Sequence, residues 1–160
     1  MTMMADMEIV ELDASFIQEA SRLLASYQYP DGWKDEQREQ CKAALQRLLE
    51  SGYMSCIMVR RQGACAGFLS YSWGLSTTKG LPILRIQDVY TSPDHRRAGV
   101  AEAMLHHVIA VARERGAHRL QLETDTDNLP ARSLYEKVGF EWISHKEVYM
   151  CPLKQWNRAD

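Results

Sequence analysis

Residues 86–105, IQDVYTSPDHRRAGVAEAML, read as three elements in succession. Ile86 to Thr91 is the end of an apolar strand that begins near Ile83. Ser92-Pro93-Asp94-His95 is a turn. From Gly99 onward apolar residues recur at helical spacing. Val100, Met104, Val108 and Val111 make one stripe, and Leu105, Ile109 and Ala112 make a second. So wide a face predicts a helix lying on a sheet, from about Gly99 to Arg115, with Gly116 as its stop. The start of such a helix favours an anion, because its first N–H groups have no internal partner and the helix dipole adds positive charge. Gly99 has no Cβ and Ala101 is small, so a phosphate can approach the backbone. Arg96 and Arg97 can add charge-assisted hydrogen bonds. The same residues also suit a solvated basic turn. Neither G-x-G-x-x-G nor G-x-x-x-x-G-K-[ST] occurs.

Upstream, residues 7–12 alternate weakly as a first strand, and Asp13 or Ser15 can cap the helix that follows. Tyr29-Pro30-Asp31-Gly32 is a turn signal, and a second helix is expected from Asp35 to Ser51, stopped by Gly52. Residues 53–61 and 64–73 read as strands joined through Gln62-Gly63, which predicts a hairpin. Thr77 to Pro82 reads as a loop before the strand 83–91. Downstream, residues 119–124 form a strand, a short helix spans about Pro130 to Val138, and one or two strands are expected between Glu141 and Leu153. The order β-α-α-β-β-β-α-β-α-β, with room for one further strand, predicts an α/β (α+β) fold. It has a single mixed, partly antiparallel sheet flanked by helices. The 160 residues suit one domain, 1–160, with a frayed tail over Gln155 to Asp160.

Composition narrows the function classes. Hydrophobic residues make up 46% and charged residues 25%, ordinary globular values, and the net charge is −2. No global basic field points to nucleic acid or an anionic membrane, so any anion site is local. No apolar run approaches the ~20 residues of a bilayer span, and the N-terminus lacks the pattern of a signal peptide. Cys41, Cys56, Cys65 and Cys151 show no C-x-x-C pair, and the histidines show no zinc spacing. Free thiols in a reducing cytoplasm and no metal are the expectation.

The segment from Ile86 resembles the GNAT superfamily of acyl-CoA-dependent N-acetyltransferases. Arg96-Arg97-Ala98-Gly99-Val100-Ala101 fits its R-x-x-G-x-[GA] signature. Asn128 to Phe140 fits its second block, N-x-x-A-x-x-x-Y-x-x-x-G-F, through Asn128, Ala131, Tyr135, Gly139 and Phe140. The segment is similar to diamine acetyltransferase-like members. The resemblance covers roughly Met7 to Leu153, with its specific part from Ile86 to Phe140.

The resemblance implies acetyl-CoA as acyl donor. It implies that backbone amides from Arg97 through Glu102 (Arg97, Ala98, Gly99, Val100, Ala101, Glu102), with Arg96 beside them, bind the pyrophosphate. It implies that Val89, Tyr90 and Thr91 pair with the pantetheine arm where their strand splays from its neighbour. Asn128 would meet the pantetheine end, and Tyr135 would protonate the leaving thiolate. From its position four residues after Ala131, Tyr135 borders the apolar stripe of its helix, which also suits a half-buried tyrosine with no such role.

The acceptor sets its own demand. A free alkylamine has a pKa near ~10.4, so deprotonation at pH 7 costs about 4 to 5 kcal/mol, and a base helps. Diamine acetyltransferases carry a glutamate where Gln87 stands, and glutamine does not titrate. Gln87 can hold a water. Asp88 points to the opposite face unless a bulge intervenes, and Glu123 is a further candidate. Both carboxylates also suit surface roles. The acceptor pocket is expected from the first two helices and the loop from Trp73 to Pro82, with Tyr27, Tyr29, Trp33, Tyr71 and Trp73 as aromatic lining for a cation. The same aromatics suit packing on the sheet.

The reading is an N-acetyltransferase that acts on a primary amine of a small molecule, or a protein amine, by direct attack in a ternary complex. An acyl-CoA-binding module with little transfer activity and an O-acyl or longer-acyl transferase stay open at this point. Family members often dimerise through their last strands, so a homodimer through Val148, Met150 and Leu153 is a further expectation.

Overall fold

The computed structural model describes residues 6–154. The expected frayed tail, Gln155 to Asp160, lies outside the described residues. Five strands form one sheet in the order β1-β2-β3-β4-β5: β1 (Met7–Glu11), β2 (Met54–Arg61), β3 (Ala64–Ser76), β4 (Leu81–Thr91) and β5 (Arg119–Gln121). The first four pair antiparallel and β4–β5 pair parallel, so the expected mixed sheet is present. Gln62 and Gly63, both at positive φ, make the two-residue β2–β3 turn that matches the right-handed twist of the strands.

Helices α1 (Ile17–Gln28) and α2 (Asp35–Ser51) cover one face. Asp13 accepts from the Ser15 N–H at 2.8 Å and so caps a 3-10 turn, Ala14–Phe16, that leads into the first, and Gly52 ends the second in the left-handed conformation. The other face carries α3 (Val100–Glu114) and α4 (Leu129–Val138). Period-two alternation divides the strands between two cores. Ile57, Val59, Leu69, Leu84 and Ile86 meet Val100, Met104, Leu105 and Val108 of α3. Cys56, Met58 and Phe68 meet Leu23, Leu24, Cys41 and Leu45 of the first two helices.

Three local expectations change. The loop over Thr77 to Pro82 is a tight turn: β3 runs on to Ser76, Leu81 and Pro82 begin β4, and the Gly80 N–H donates to the Ser76 carbonyl at 2.7 Å. Pro82 is tolerated near the strand start, where its missing N–H costs no central ladder bond. The strand over 119–124 is paired only from Arg119 to Gln121, because β4 and the chain after Gln121 part company there. Glu141 to Leu153 forms no strand pairing, and a turn closes from Lys146 N–H to the Ile143 carbonyl at 3.3 Å. Its apolar residues satisfy a strand pattern locally, but a strand also needs an edge to bond to.

Candidate active site

Pairing of β4 with β5 stops at Arg85 and Gln121. Beyond that point the two backbones bound a cleft lined by Ile86, Gln87 and Val89 on one side and by Leu122, Glu123, Thr124, Asp125, Asn128 and Tyr135 on the other. Tyr27, from the last turn of α1, also lines it. The freed edge of β4 includes Val89, Tyr90 and Thr91, which have partners on β3 but none on β5.

The bulge that sequence alone left open is present. Ser70 pairs with Asp88 and Tyr71 with Ile86, so Gln87 is the extra residue. Gln87 is exposed and lines the cleft. Asp88 lies on the opposite face, half-buried, where Ser70 Oγ donates to its Oδ2 at 2.6 Å. Glu123 lines the cleft too, but Arg85 Nη2 holds it at 2.6 Å.

Between β4 and α3 the backbone forms a concave loop. Arg97 takes φ 62° and Gly99 takes φ 80°, both left-handed. A Cβ placed on Gly99 would meet nothing within 4 Å, so the space in front of this helix start is open. The first-turn N–H groups of α3, including those of Val100, Ala101 and Glu102, have no intrahelical acceptor. This donor set fits a pyrophosphate. Ala98 is half-buried against the core. Arg96 Nε donates to the Thr91 carbonyl at 3.3 Å, tying the loop to the end of β4. The Glu102 side chain turns away to Lys137 Nζ at 3.0 Å, and that contact holds its carboxyl below the usual range.

Tyr135 is half-buried, with its ring 5.9 Å from that of Phe140, and burial pushes its hydroxyl above the ordinary value. It therefore keeps its proton at neutral pH and can only donate it or share it. Asn128 lines the same cleft while its Oδ1 accepts from the Ala131 N–H at 3.4 Å, capping α4. Cys56 and Cys65 are pushed up to about 12 and about 11, chiefly by burial, and sit in strands as packing groups. Among the described residues no group of three or more His, Cys, Asp or Glu side chains converges as metal ligands, and no helix is long and apolar enough to cross a membrane.

The expected aromatic pocket is mostly not assembled. Tyr71 and Trp73 pack on the α3 face, where the Arg115 guanidinium lies 4.8 Å from the Trp73 ring. Trp33 packs against the first two helices and donates to Ser26 Oγ at 3.1 Å. Of these aromatics, Tyr27 lines the cleft. Alternation places Tyr71 and Trp73 together but does not say which face the acceptor uses.

Residues 15–140 match the sequence model of the Acetyltransferase (GNAT) family. The chain is similar to streptothricin acetyltransferase of Streptomyces lavendulae, 34% identical over 84 residues, which cover 52% of this chain and 42% of that protein. The chain thus spans less than half the length of that relative. Among solved structures it is similar to a probable acetyltransferase at TM-score 0.83 and 22% identity, covering 93% of this chain and 99% of the other. It is also similar to AAC(6')-Iy in complex with a bisubstrate analogue, CoA-S-monomethyl-acetylneamine, at TM-score 0.73 and 17% identity, covering 91% and 98%. Both likenesses show the fold.

Proposed function

The chain belongs to the acetyltransferase (GNAT) family, and on that premise we propose that it transfers the acetyl group of acetyl-CoA to a primary amine of a small molecule, by direct attack in a ternary complex. The observation that carries this reading is the cleft between β4 and β5. A proton-bearing tyrosine lines it, and the chain that leaves the freed end of β4 leads into an open helix start with free amides. Arg96 and the amides from Arg97 to Glu102 take the pyrophosphate. The β4 edge at Val89, Tyr90 and Thr91 pairs with pantetheine, and Asn128 meets its end. Acetyl-CoA supplies an acyl group already activated as a thioester, so no metal and no covalent enzyme intermediate is required.

Tyr135 gives its proton to the sulfur as the thioester breaks. Asp88, on the face of β4 that α1 and α2 cover, is the carboxylate that finally holds the proton given up by the acceptor ammonium, while the neutral Gln87 contributes polar lining. A primary amine of a small molecule is supported by the relatives, which include an enzyme named for streptothricin and a fold neighbour bound to an analogue that joins CoA to an acetylated aminoglycoside fragment. A single domain over 1–160, a cytoplasmic setting in which acetyl-CoA is supplied, no nucleic-acid or membrane partner, and a homodimer through Val148, Met150 and Leu153 complete the proposal. The test is free-thiol release from acetyl-CoA across polyamines, aminoglycosides, amino acids and lysine peptides. Release with one amine class supports the reading and names the acceptor. Acetyl-CoA binding with no release for any amine favours an acyl-CoA-binding module, the second reading, which the non-titrating Gln87 at the bulge supports.

A further inference from the structure

Tyr27 lines the cleft, and Asp88, on the same face of β4 as the Tyr90 against which Tyr27 packs, does not. The Tyr27 ring packs against Phe68 at 5.6 Å and Tyr90 at 5.2 Å between centroids. Phe68 and Tyr90 form one cross-strand pair, and Ser70 and Asp88 form the next pair on the same face. Tyr27 is thus anchored on the aromatic pair directly beside the carboxylate. Its side chain lines the cleft, whereas Asp88 is not among the lining residues. Ser70 Oγ donates to Asp88 Oδ2, which leaves the other carboxylate oxygen able to take a second donor on the face that carries Tyr27. Burial, then the charge of Asp88 and its hydrogen-bonding pull, push the Tyr27 hydroxyl above its ordinary value. A tyrosine that gives its proton toward a carboxylate turns its oxygen lone pairs toward whatever stands in front of it.

Resting on the transferase reading, we infer that Tyr27 is a catalytic residue that receives the acceptor amine and passes its proton to Asp88. The arriving ammonium gives one proton to Tyr27 Oη as the Tyr27 proton moves to the Asp88 carboxylate, which later releases it to water. The free amine forms the N–C bond, the C–S bond breaks, and the thiolate takes the proton of Tyr135. The second proton of the nitrogen leaves through solvent and restores Tyr135. Contacts of this kind are often long without substrate and tighten when it binds. The other titratable groups that face the pair are Tyr135, Asp125 and Cys56, with Glu123 across the cleft held by Arg85.

The experiment measures kcat/KM against pH, from about 6.5 to 10, for the full chain with the panel amine it turns over best. It compares Tyr27→Phe, Asp88→Asn and the double variant, with acetyl-CoA affinity measured separately. Tyr27→Phe keeps the ring that packs on Phe68 and Tyr90, so the fold is retained. Each single variant is expected to lose roughly 10²-fold near pH 7, in the range of general acid–base catalysis. The loss shrinks toward the amine's own pKa, where the enzyme no longer needs to remove the proton, and the double variant is no worse than either single one. Acetyl-CoA affinity stays within twofold. A Tyr27→Phe rate equal to the parent's, a loss that is the same at every pH, or additive losses would each overturn the relay and leave the transferase reading standing. An unsubstituted chain that turns over no amine would overturn both.

Discussion

Gly67 of β3 and Tyr90 of β4 approach so closely that a Cβ on Gly67 would lie 2.6 Å from the Tyr90 carbonyl oxygen. The same Cβ would stand 2.9 Å from Val100 Cγ1 and 3.3 Å from Met104 Cε. The glycine therefore lets α3 lie tight on the sheet. A backbone oxygen cannot rotate aside, so Gly67→Ala must separate β3 from β4 or lift α3. The expected cost is about 1–3 kcal/mol, the usual range for overpacking, read as a lower midpoint in denaturant or heat. An unchanged midpoint would mean that β4 shifts freely.

Tyr135→Phe removes the hydroxyl proposed as the proton donor and keeps the ring beside Phe140. Turnover is expected to fall about 10²- to 10³-fold, with acetyl-CoA affinity retained. A rate equal to the parent's would remove Tyr135 from the reaction.

At Gly99 the left-handed backbone and the empty space in front of it act together. A Gly99→Ala side chain strains the turn by about 1–2 kcal/mol and projects into the space assigned to the pyrophosphate. The Michaelis constant for acetyl-CoA should rise about tenfold or more while that for the amine changes little. The amine constant rising alone would place the anion elsewhere.

What could be read in the sequence followed from how local each signal is. Asp35 to Ser51 is closed by its own Gly52, the hairpin by Gln62-Gly63, and the loop before α3 by Arg96 to Gly99 ahead of an amphipathic helix. None of these needs knowledge of a distant residue. The bulge at Gln87 was not fixed, because it is defined by the register of β3, where Ser70 and Tyr71 take Asp88 and Ile86. Tyr27 was one of five aromatics with no way to rank them, since its place in the cleft depends on how α1 crosses Phe68 and Tyr90. The strands expected after Glu141 failed for the opposite reason: their pattern is local, and the missing part is a neighbouring edge.

The cysteines separate cleanly by environment. Cys56 and Cys65, pushed up to about 12 and about 11, carry almost no thiolate at pH 8, and buried Cys41 is also raised by desolvation. Cys151 is exposed. A thiol reagent at pH 8 should modify the native chain at Cys151 alone, and Cys151→Ser should abolish labelling without altering turnover. Rapid labelling of Cys56, found by peptide mapping, would mean that β2 opens in the native state.

The segment after α4 bears on the state of assembly. Trp142, Ile143, Val148, Tyr149, Met150 and Leu153 are all exposed, Tyr149 at 92% and Leu153 at 91%. So many large apolar side chains on one short stretch are unusual for a monomer surface. Beside them, β5 pairs with β4 on one edge and with no described strand on the other, which leaves backbone N–H and C=O groups free to template a further strand. In the proposed homodimer a second copy of the chain would supply both missing halves at once, with each apolar segment along the other's β5. Light scattering on the full chain at micromolar concentration should give twice the chain mass. The pair Val148→Lys and Met150→Lys, on a segment with no core role in the single chain, should give the single mass with an unchanged circular dichroism spectrum. A parent chain that runs as a monomer over the whole concentration range would instead assign the segment to its own sheet edge.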